Sequence, residues 1–286
     1  MAEVEFTADQ PGRYAFQCTV WCQLGHWRMR GVIEVIDPDD PVASARDVNP
    51  PQTNWVASGV DIDADHSGRF VPEHPADATN GQRLWAEISP RPLTKLLASL
   101  DLRLLSPSDL YTYLSQDVEE VAAQEQAAHE GHSAGEMAAM PAAALPDLPE
   151  AAALAALSPT ERWDMVAALY FAATSSRLLV ASEQLYQRDC TGCHGLNGGG
   201  DGPGAAEIAA LNAGQPTDHA MAMGNPPTDF TDLRAQAGAS DLLYYGKLVR
   251  GGMGTSMPYY GTIYNEEELW AIIAYLRSFA FEYPAD

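Results

Sequence analysis

Basic residues are scarce in this sequence. The 286-residue chain has 16 Lys and Arg against 39 Asp and Glu, which gives a formal net charge of −23. Such a charge repels nucleic-acid phosphates and anionic lipid headgroups, so it excludes both as expected partners. It allows a basic partner, although an acidic surface also serves solubility alone.

Long uncharged apolar stretches are also missing. A membrane-spanning helix needs about 20 mostly apolar residues. The best candidate, Trp163–Ala181, is interrupted by Asp164 and Arg177. The sequence therefore predicts no transmembrane segment. The opening residues, MAEVEFTADQPG, also lack the basic and apolar regions of a signal peptide.

Cysteine is also rare, with four residues in the chain. They form two tight pairs, Cys18 with Cys22 and Cys190 with Cys193. A secreted disulfide scaffold spreads its cysteines along the chain, whereas closely spaced pairs are typical of cofactor sites. Both pairs therefore predict cofactor chemistry.

Residue patterns predict a mixed fold, in which a short β region is followed by mainly α-helical segments. Residues 3–17 and 31–36 are rich in Val, Ile, Phe and Tyr, which predicts a β-hairpin. Helical patterns cover 80–122 and 158–189, a Gly- and Pro-rich loop region covers 197–262, and a terminal helix covers 266–280. The predicted units are a partial β unit at 1–37, an irregular linker at 38–79, a helical region at 80–172 and a C-terminal domain at 173–286.

Two helical segments share one plan. SPTERWDMVAAL at 158–169 and NEEELWAIIAYL at 265–276 each have a capping residue, a Glu three positions later, a Trp, and then Ala and Leu. Upstream, GQRLWAE at 81–87 loosely resembles SEQLYQR at 182–188. Either the middle region is a copy of the last domain without its cysteines, or two ordinary amphipathic helices share a cap.

Residues 190–194 read CTGCH, the C-x-x-C-H pattern. Two thiols about one helical turn apart can add to both vinyl groups of a haem, and the adjacent His194 can then ligate the iron. The Gly-rich segment that follows, HGLNGGGDGPG, lets backbone pass close to a flat cofactor. A structural zinc site is the alternative for Cys190, Cys193 and His194, and it needs a fourth ligand.

From about residue 175 to 282, the sequence resembles a class I cytochrome c of the small bacterial type. The resemblance rests on CTGCH, the Gly-rich loop, the segment RGGMGTSMPYYG and the capped terminal helix. It implies an all-helical domain with one haem c, attached covalently through Cys190 and Cys193. His194 would be the proximal iron ligand and Met257 the distal one, with Met253 as the rival.

A His/Met-ligated haem suits electron transfer rather than substrate chemistry. No catalytic residue is therefore assigned, and the resemblance implies a non-catalytic electron-transfer subunit. Haem c is normally attached outside the cytoplasm, so the expected location is periplasmic, at the extracytoplasmic face of the cytoplasmic membrane. The expected partners are other subunits of a respiratory oxidase or reductase complex and a soluble redox donor.

The first cysteine pair lies in CTVWCQLGHWRM, at residues 18–29. This segment resembles the dinuclear copper (Cu-A) loop of the cupredoxin domain in cytochrome c oxidase subunit II, and soft thiolate and thioether ligands suit copper. The chain thus resembles the C-terminal part of such a subunit fused to a cytochrome c. The resemblance implies as copper ligands the bridging Cys18 and Cys22, the carbonyl of Val20, His26 and Met29.

Part of the Cu-A pattern is missing. The family's second histidine normally precedes the cysteine loop, whereas no histidine precedes Cys18 here, and His66 and His74 lie on its other side. We therefore expect that Met1 is not the natural start or that another polypeptide completes the barrel, and that copper binds only if residues outside this chain complete the site. Further copper-compatible side chains lie in a low-complexity stretch: His129, His132, Met137 and Met140.

Three hypotheses of function follow. The first is the end of an oxidase subunit II that passes electrons from haem c to Cu-A. The second is the cytochrome c tail of a nitrous oxide reductase-like enzyme, which carries the same copper centre. The third is a stand-alone cytochrome c whose cupredoxin remnant is a copper-free docking element.

Overall fold

The structure is a computed structural model, and helices make up most of what it describes. It describes residues 7, 11–17, 30–39, 53, 55–62, 66, 68–98, 100–115, 150–212, 226–251 and 257–284. The first cysteine motif and the His/Met-rich stretch lie outside these residues.

The N-terminal β region is an antiparallel pair of strands, β1 (Gly12–Gln17) and β2 (Arg30–Val35). Their register runs from Gly12 opposite Val35 to Gln17 opposite Arg30. Tyr14 and Phe16 lie on one face of the pair and are 44% and 55% exposed. The predicted hairpin strands are therefore confirmed, although two strands alone do not establish a cupredoxin barrel.

The helices described between residues 76 and 172, which we call the middle unit, pack around a core of leucines and aromatics. LTKLLASLDLRLL was predicted to be helical throughout, but its helix ends at Leu97. A turn starts at Asp101, whose carboxylate accepts a hydrogen bond from the Arg103 amide. The helices are α1 (Ala78–Ile88), α2 (Leu93–Leu97), α3 (Pro107–Ser115), α4 (Ala151–Ala155) and α5 (Pro159–Ala172).

Helices α1 and α5 cross in direct contact. Helix α1 begins at Asp77, whose side chain accepts from the backbone amides of Thr79 and Asn80. Gly81 lies at the crossing, where a Cβ atom would overlap the carbonyl of Asp164. The absence of a side chain at Gly81 is therefore what lets the two backbones approach so closely.

The helices described between residues 176 and 277, which we call the C-terminal unit, surround a second core rich in tyrosine and leucine. The loop predicted over 197–262 was partly wrong, because short helices with their own caps lie within it, at Asp232 and Ser240. The helices are α6 (Ser176–Asp189), α7 (Thr191–His194), α8 (Pro203–Asn212), α9 (Leu233–Gly238), α10 (Asp241–Arg250), a 3₁₀ turn (Tyr260–Thr262) and α11 (Glu266–Arg277).

The C-terminal unit repeats the helix pair of the middle unit. Helix α11 packs on α6 as α5 packs on α1. Both second helices begin with a capping box, Ser158 with Glu161 in α5 and the predicted Asn265 with Glu268 in α11. Both first helices end alike, because Ser89 N donates to Trp85 O and Cys190 N donates to Tyr186 O, at 2.8 and 2.9 Å.

The two units are joined through the C-terminus and through Arg277. After α11 the chain forms β4 (Phe281–Glu282), which pairs in parallel with β3 (Ala76–Asp77) at the start of the middle unit. The Arg277 guanidinium lies between the rings of Tyr170 and Tyr244, one from each unit, at 4.9 and 5.0 Å from their centroids. Arg277 is only 1% exposed.

Part of the segment predicted as a linker packs on the C-terminal unit. Ile62 is buried, and the Trp55 ring lies against Gly246 of α10. Across the described residues, no single helix is long and apolar enough to cross a membrane. Only α5 and α6 taken together pass that test, and they bend by 86° where they meet.

Candidate haem-binding site

The second cysteine pair is held at the junction of two helices. Helix α6 ends at Asp189, and the one-turn helix α7 follows at once. The amides of Cys193 and His194 donate to the carbonyl of Cys190, at 3.2 and 2.9 Å. Both thiols and the imidazole are therefore carried by a single helical turn, as attachment of a haem requires.

The His194 ring is oriented by a backbone carbonyl. Its Nδ1 lies 3.0 Å from the carbonyl oxygen of Thr228. A carbonyl only accepts, so Nδ1 carries the proton and Nε2 keeps its lone pair for a metal. The ring also stacks on Phe230, with centroids 4.7 Å apart and planes at 26°.

Burial sets the protonation of these groups. Burial lowers the pKa of His194, against the opposing effect of its hydrogen bond to Thr228, so the imidazole is neutral and able to bind a metal. Burial also raises the pKa of Cys190 to about 12 and raises that of Cys193. A buried, protonated thiol is a poor nucleophile, so Cys190 does not resemble the attacking thiol of a redox-active dithiol.

The Gly-rich segment folds back onto α7. The amides of Gly200 and Gly202 donate to the carbonyls of His194 and Cys193, at 2.9 and 3.0 Å. At Gly195 the backbone has a φ of 76°, in the left-handed region that favours glycine. The Gly-rich segment thus supplies hydrogen-bond donors to the carbonyls at the end of α7 and stays close to the cysteines.

Met257 follows residues 252–256, which the structure does not describe, and is partly buried against the second core. At Gly251 the backbone has a φ of 71°, and a Cβ there would come within 2.8 Å of the Tyr259 nitrogen. In the 3₁₀ turn that follows Met257, a Cβ at Gly261 would lie 3.0 Å from the Val249 side chain. The backbone is therefore closely packed on both sides of residues 252–256, while the rival Met253 lies outside the described residues.

The side chains of three tyrosines and one glutamine hold the site in place by hydrogen bonds, and the sequence patterns did not predict them. Tyr186 donates to the Gly195 carbonyl at 2.8 Å, and Tyr260 donates to the Asp189 carbonyl at 3.0 Å, which fixes α7 at both ends. Gln236 donates to the carbonyl of Phe230 at 3.0 Å, and Tyr244 donates to the Gln236 side chain. The only sequence signal nearby was the rigid Pro-Pro dipeptide at 226–227, just before Thr228.

These residues fit a haem c better than a zinc ion. The set offers two adjacent thiols, an imidazole with a free Nε2 and, at Met257, a partly buried thioether, lined by aromatic rings. Within the described part of the chain, no three His, Cys, Asp or Glu side chains gather in a way that could hold a metal ion. Cys190, Cys193 and His194 thus lack the converging geometry of the alternative zinc site.

The predicted copper ligands are not placed by the structure. Cys18, Val20, Cys22, His26 and Met29 lie outside the described residues, so the prediction of a Cu-A site stays a prediction. The described strands β1 and β2 flank this segment on either side. The side-chain Nε2 of His66 lies 2.5 Å from the Asp61 carbonyl, and neither His66 nor His74 belongs to a metal-binding group of described residues.

Comparison with known proteins identifies the C-terminal unit. Residues 180–280 match the family model described as Cytochrome c. The match supports the predicted cytochrome c part, and such a domain implies covalent haem c and haem-based electron transfer. It does not extend to the N-terminal hairpin, and none of the comparisons shows a cupredoxin or copper.

The other comparisons add little. A search of curated proteins gave no match. A solved chain from the reducing HAO-like protein complex of Kuenenia stuttgartiensis is 17% identical, with a TM-score of 0.30. The alignment covers 74% of this chain and 99% of that one, and a TM-score of this size does not establish a shared fold.

Proposed function

We propose that the chain is an electron-transfer subunit with one haem c, attached through Cys190 and Cys193 and ligated by His194 and Met257. The observation that carries this assignment is the hydrogen bond of His194 Nδ1 to Thr228 O, at 3.0 Å. It fixes the tautomer and the ring orientation of a histidine that follows two thiols on one helical turn. A His whose second nitrogen is held by a carbonyl is the usual arrangement of a metal ligand.

Bound haem c supplies one-electron chemistry at its iron. The chain's own residues hold and shield it. Cys190 and Cys193 provide the covalent links, and Thr228 keeps the His194 ring in one orientation. The buried Phe230 covers one face of that ring and limits the access of water. A Met ligand raises the reduction potential of a haem, which suits an electron carrier.

The ligand assignment is tested by substitution in a host that attaches haem c. We expect one covalent haem per chain, no covalent haem in the double variant Cys190→Ala/Cys193→Ala, and loss of the spectrum of Met-ligated haem in Met257→Ala. Met253→Ala is the matched control, since it removes the rival methionine four positions away. Loss of that spectrum in Met253→Ala with Met257→Ala unaffected would reverse the assignment.

The finer part of the proposal is the electron acceptor. We propose that the haem passes electrons to a Cu-A centre of a respiratory terminal oxidase, as a subunit II-like chain does. The support is the C-x3-C-x3-H-x2-M pattern of Cys18, Cys22, His26 and Met29, with Val20 between the cysteines. The copper site would be complete only with residues outside this chain.

The copper-to-iron ratio of the complex isolated from its source tests this acceptor. Two coppers per haem c iron, after subtraction of copper in other subunits, would support Cu-A. Haem iron without such copper would favour a stand-alone cytochrome c whose hairpin is a docking element. The exposed side chains of Tyr14 and Phe16 are the observation that supports a docking role for the hairpin. A catalytic domain upstream in the same gene would instead favour a nitrous oxide reductase-like protein.

The location and partners belong to the same proposal. Covalent haem c favours the extracytoplasmic face of the membrane, with other subunits of the complex and a soluble redox donor as partners. A chain of net charge −23 would attract a basic donor. Electron-transfer rates with that donor should then fall as ionic strength rises, and rates independent of salt would contradict the attraction.

We also propose that the middle unit is a haem-free counterpart of the C-terminal unit. Aligning the two helix pairs places Ser89, Pro92 and Leu93 where the other unit has Cys190, Cys193 and His194. The matching cap of α1, with Ser89 in the position of Cys190, supports this alignment. Measured haem content checks it, since a second covalent haem would exclude a haem-free middle unit.

A further inference from the structure

One hydrogen bond joins the N-terminal hairpin to the segment that carries Met257. The hydroxyl of Tyr259 donates to the carbonyl oxygen of Gly31, at 2.6 Å and across 228 positions in the sequence. Gly31 lies near the start of β2, and Tyr259 is buried at 5% exposure. The bond therefore ties a buried part of the C-terminal unit to the strand pair at the other end of the chain.

Tyr259 is closely coupled to Met257 through the backbone. Pro258 is the single residue between them, and its ring fixes φ at about −65°. The Tyr259 nitrogen also lies against Gly251, where no side chain would fit without displacing it. A shift of the Tyr259 ring would therefore be transmitted to Met257 instead of being absorbed by a flexible link.

We propose that Tyr259 is a positioning residue through which the N-terminal hairpin holds Met257 in place as a haem ligand. The inference rests on the proposed role of Met257. It extends that role, because the hairpin becomes part of what determines the properties of the haem. A change in the strand pair would therefore reach the haem through Gly31 and Tyr259. By thermodynamic reciprocity, the state of the haem would affect the strand pair equally.

The test removes the hydroxyl and keeps the ring. In the full-length, haem-loaded chain, Tyr259→Phe should weaken the near-infrared charge-transfer band of Met-ligated ferric haem. It should also lower the reduction potential, since Met ligation raises it. Tyr170→Phe is the matched control, because Tyr170 likewise donates from a buried position to a carbonyl, that of Leu105, at 2.9 Å. Tyr170→Phe should cost stability and leave both haem signals unchanged.

A second variant acts from the hairpin side. Ile33 pairs with Tyr14 in the middle of the strand pair, and Ile33→Pro should break that pairing without touching the C-terminal unit. We expect it to reproduce the effect of Tyr259→Phe on the haem, and the double variant to show no larger effect than either change alone. This non-additivity is the signature of one shared route.

The outcomes separate the inference from the function on which it rests. If Met257→Ala leaves the charge-transfer band intact, the ligand assignment fails and the inference fails with it. If Met257→Ala abolishes the band while Tyr259→Phe and Ile33→Pro leave the band and the potential unchanged at equal haem content, Met257 is the ligand and the coupling to the hairpin is refuted. Equal effects of Tyr259→Phe and Tyr170→Phe on the haem would also refute it.

Discussion

Replacement of Arg277 by methionine should destabilise the whole chain more than any surface change. The Arg277 guanidinium is fully used, because it donates to Asp241 at 2.9 and 2.7 Å, to the Gln236 backbone and side chain, and to the Ala239 carbonyl. Methionine fills a similar volume but donates no hydrogen bond. The change therefore leaves a buried carboxylate and two backbone carbonyls without their donors.

The magnitude follows from these losses. Breaking a buried ion pair by removing one partner costs about 3–5 kcal/mol, because the remaining charge is left uncompensated. The orphaned carbonyls of Gln236 and Ala239 add to this, although the terms overlap and are not additive. Since a native domain is stable by only about 5–15 kcal/mol, Arg277→Met should remove a large part of the total.

The effect of Arg277→Met should depend on pH. Burial raises the pKa of Asp241 above its ordinary value of 3.8, and Arg277 partly opposes that rise. Without Arg277 the pKa of Asp241 rises further. A raised folded-state pKa gives stability that is present below the unfolded pKa and lost as pH rises through the folded one. The free energy of unfolding of the variant should therefore be closest to that of the wild type in acid, and the difference between them should grow as pH increases.

Urea unfolding, followed by far-ultraviolet circular dichroism across the acidic and neutral range, measures both effects. The control is a double-mutant cycle with Asp241→Asn, which removes the charge that Arg277 compensates. We expect Arg277→Met to cost less in the Asp241→Asn background than in the wild type, with a coupling of about 0.5–3 kcal/mol. A loss below about 1 kcal/mol for Arg277→Met, additivity in the cycle, or a difference that does not change with pH would refute the reasoning.

Three further predictions concern the helix pairs and the haem. Gly81→Ala should cost about 1–3 kcal/mol of stability, because its Cβ would meet a backbone carbonyl that cannot swing aside. The exposed neighbour Gln82→Ala should change stability by less than about 0.5 kcal/mol, and equal losses at the two sites in chemical denaturation would contradict the close crossing. Hydrogen bonds from Ser89 and Arg91 lower the pKa of Glu150. The contribution of Glu150 to the free energy of unfolding is therefore present above its ordinary pKa of 4.5 and is lost as pH falls through the lowered value. Glu150→Gln should therefore reduce the acid sensitivity of the unfolding midpoint, and an unchanged pH profile would count against that contact. Cys190→Ala/Cys193→Ala, which lacks covalent haem, should show faster amide hydrogen exchange in α7 and α9 than in α1 and α5, whereas a uniform increase would argue against separate cores.

The sequence predicted those parts of the structure that local chemistry decides. CTGCH predicted the helical turn that carries Cys190, Cys193 and His194. The Asn265 and Glu268 pair predicted the start of α11, because a capping box depends on residues only three positions apart. The content of Val, Ile, Phe and Tyr likewise predicted the strands β1 and β2. For the helical turn and the capping box, the determining contacts are close along the chain.

What the sequence could not predict depends on contacts between distant residues. Thr228 orients His194 from 34 positions away, through a backbone carbonyl that any residue would have supplied. Arg277 holds Asp241, 36 positions away, and nothing in the local pattern marks it as buried. The short helices within 197–262 were missed because their glycines and prolines resemble a loop, while their stability comes from packing around the second core.

The two helix pairs differ at the position of the proposed haem ligand. Both units cross a first helix with a capped second helix, so that motif does not itself require a cofactor. In the middle unit the residue in the place of His194 is Leu93, which is buried and begins α2. In the C-terminal unit the same stretch instead presents an imidazole whose Nδ1 is hydrogen-bonded to the Thr228 carbonyl, beside the thiols of Cys190, which is buried, and Cys193, which is partly exposed. A buried leucine completes its environment by packing, whereas an imidazole oriented through Nδ1 keeps the lone pair of Nε2 for a metal. A haem iron would bind through that lone pair, which is why the proposed haem site lies in the C-terminal unit.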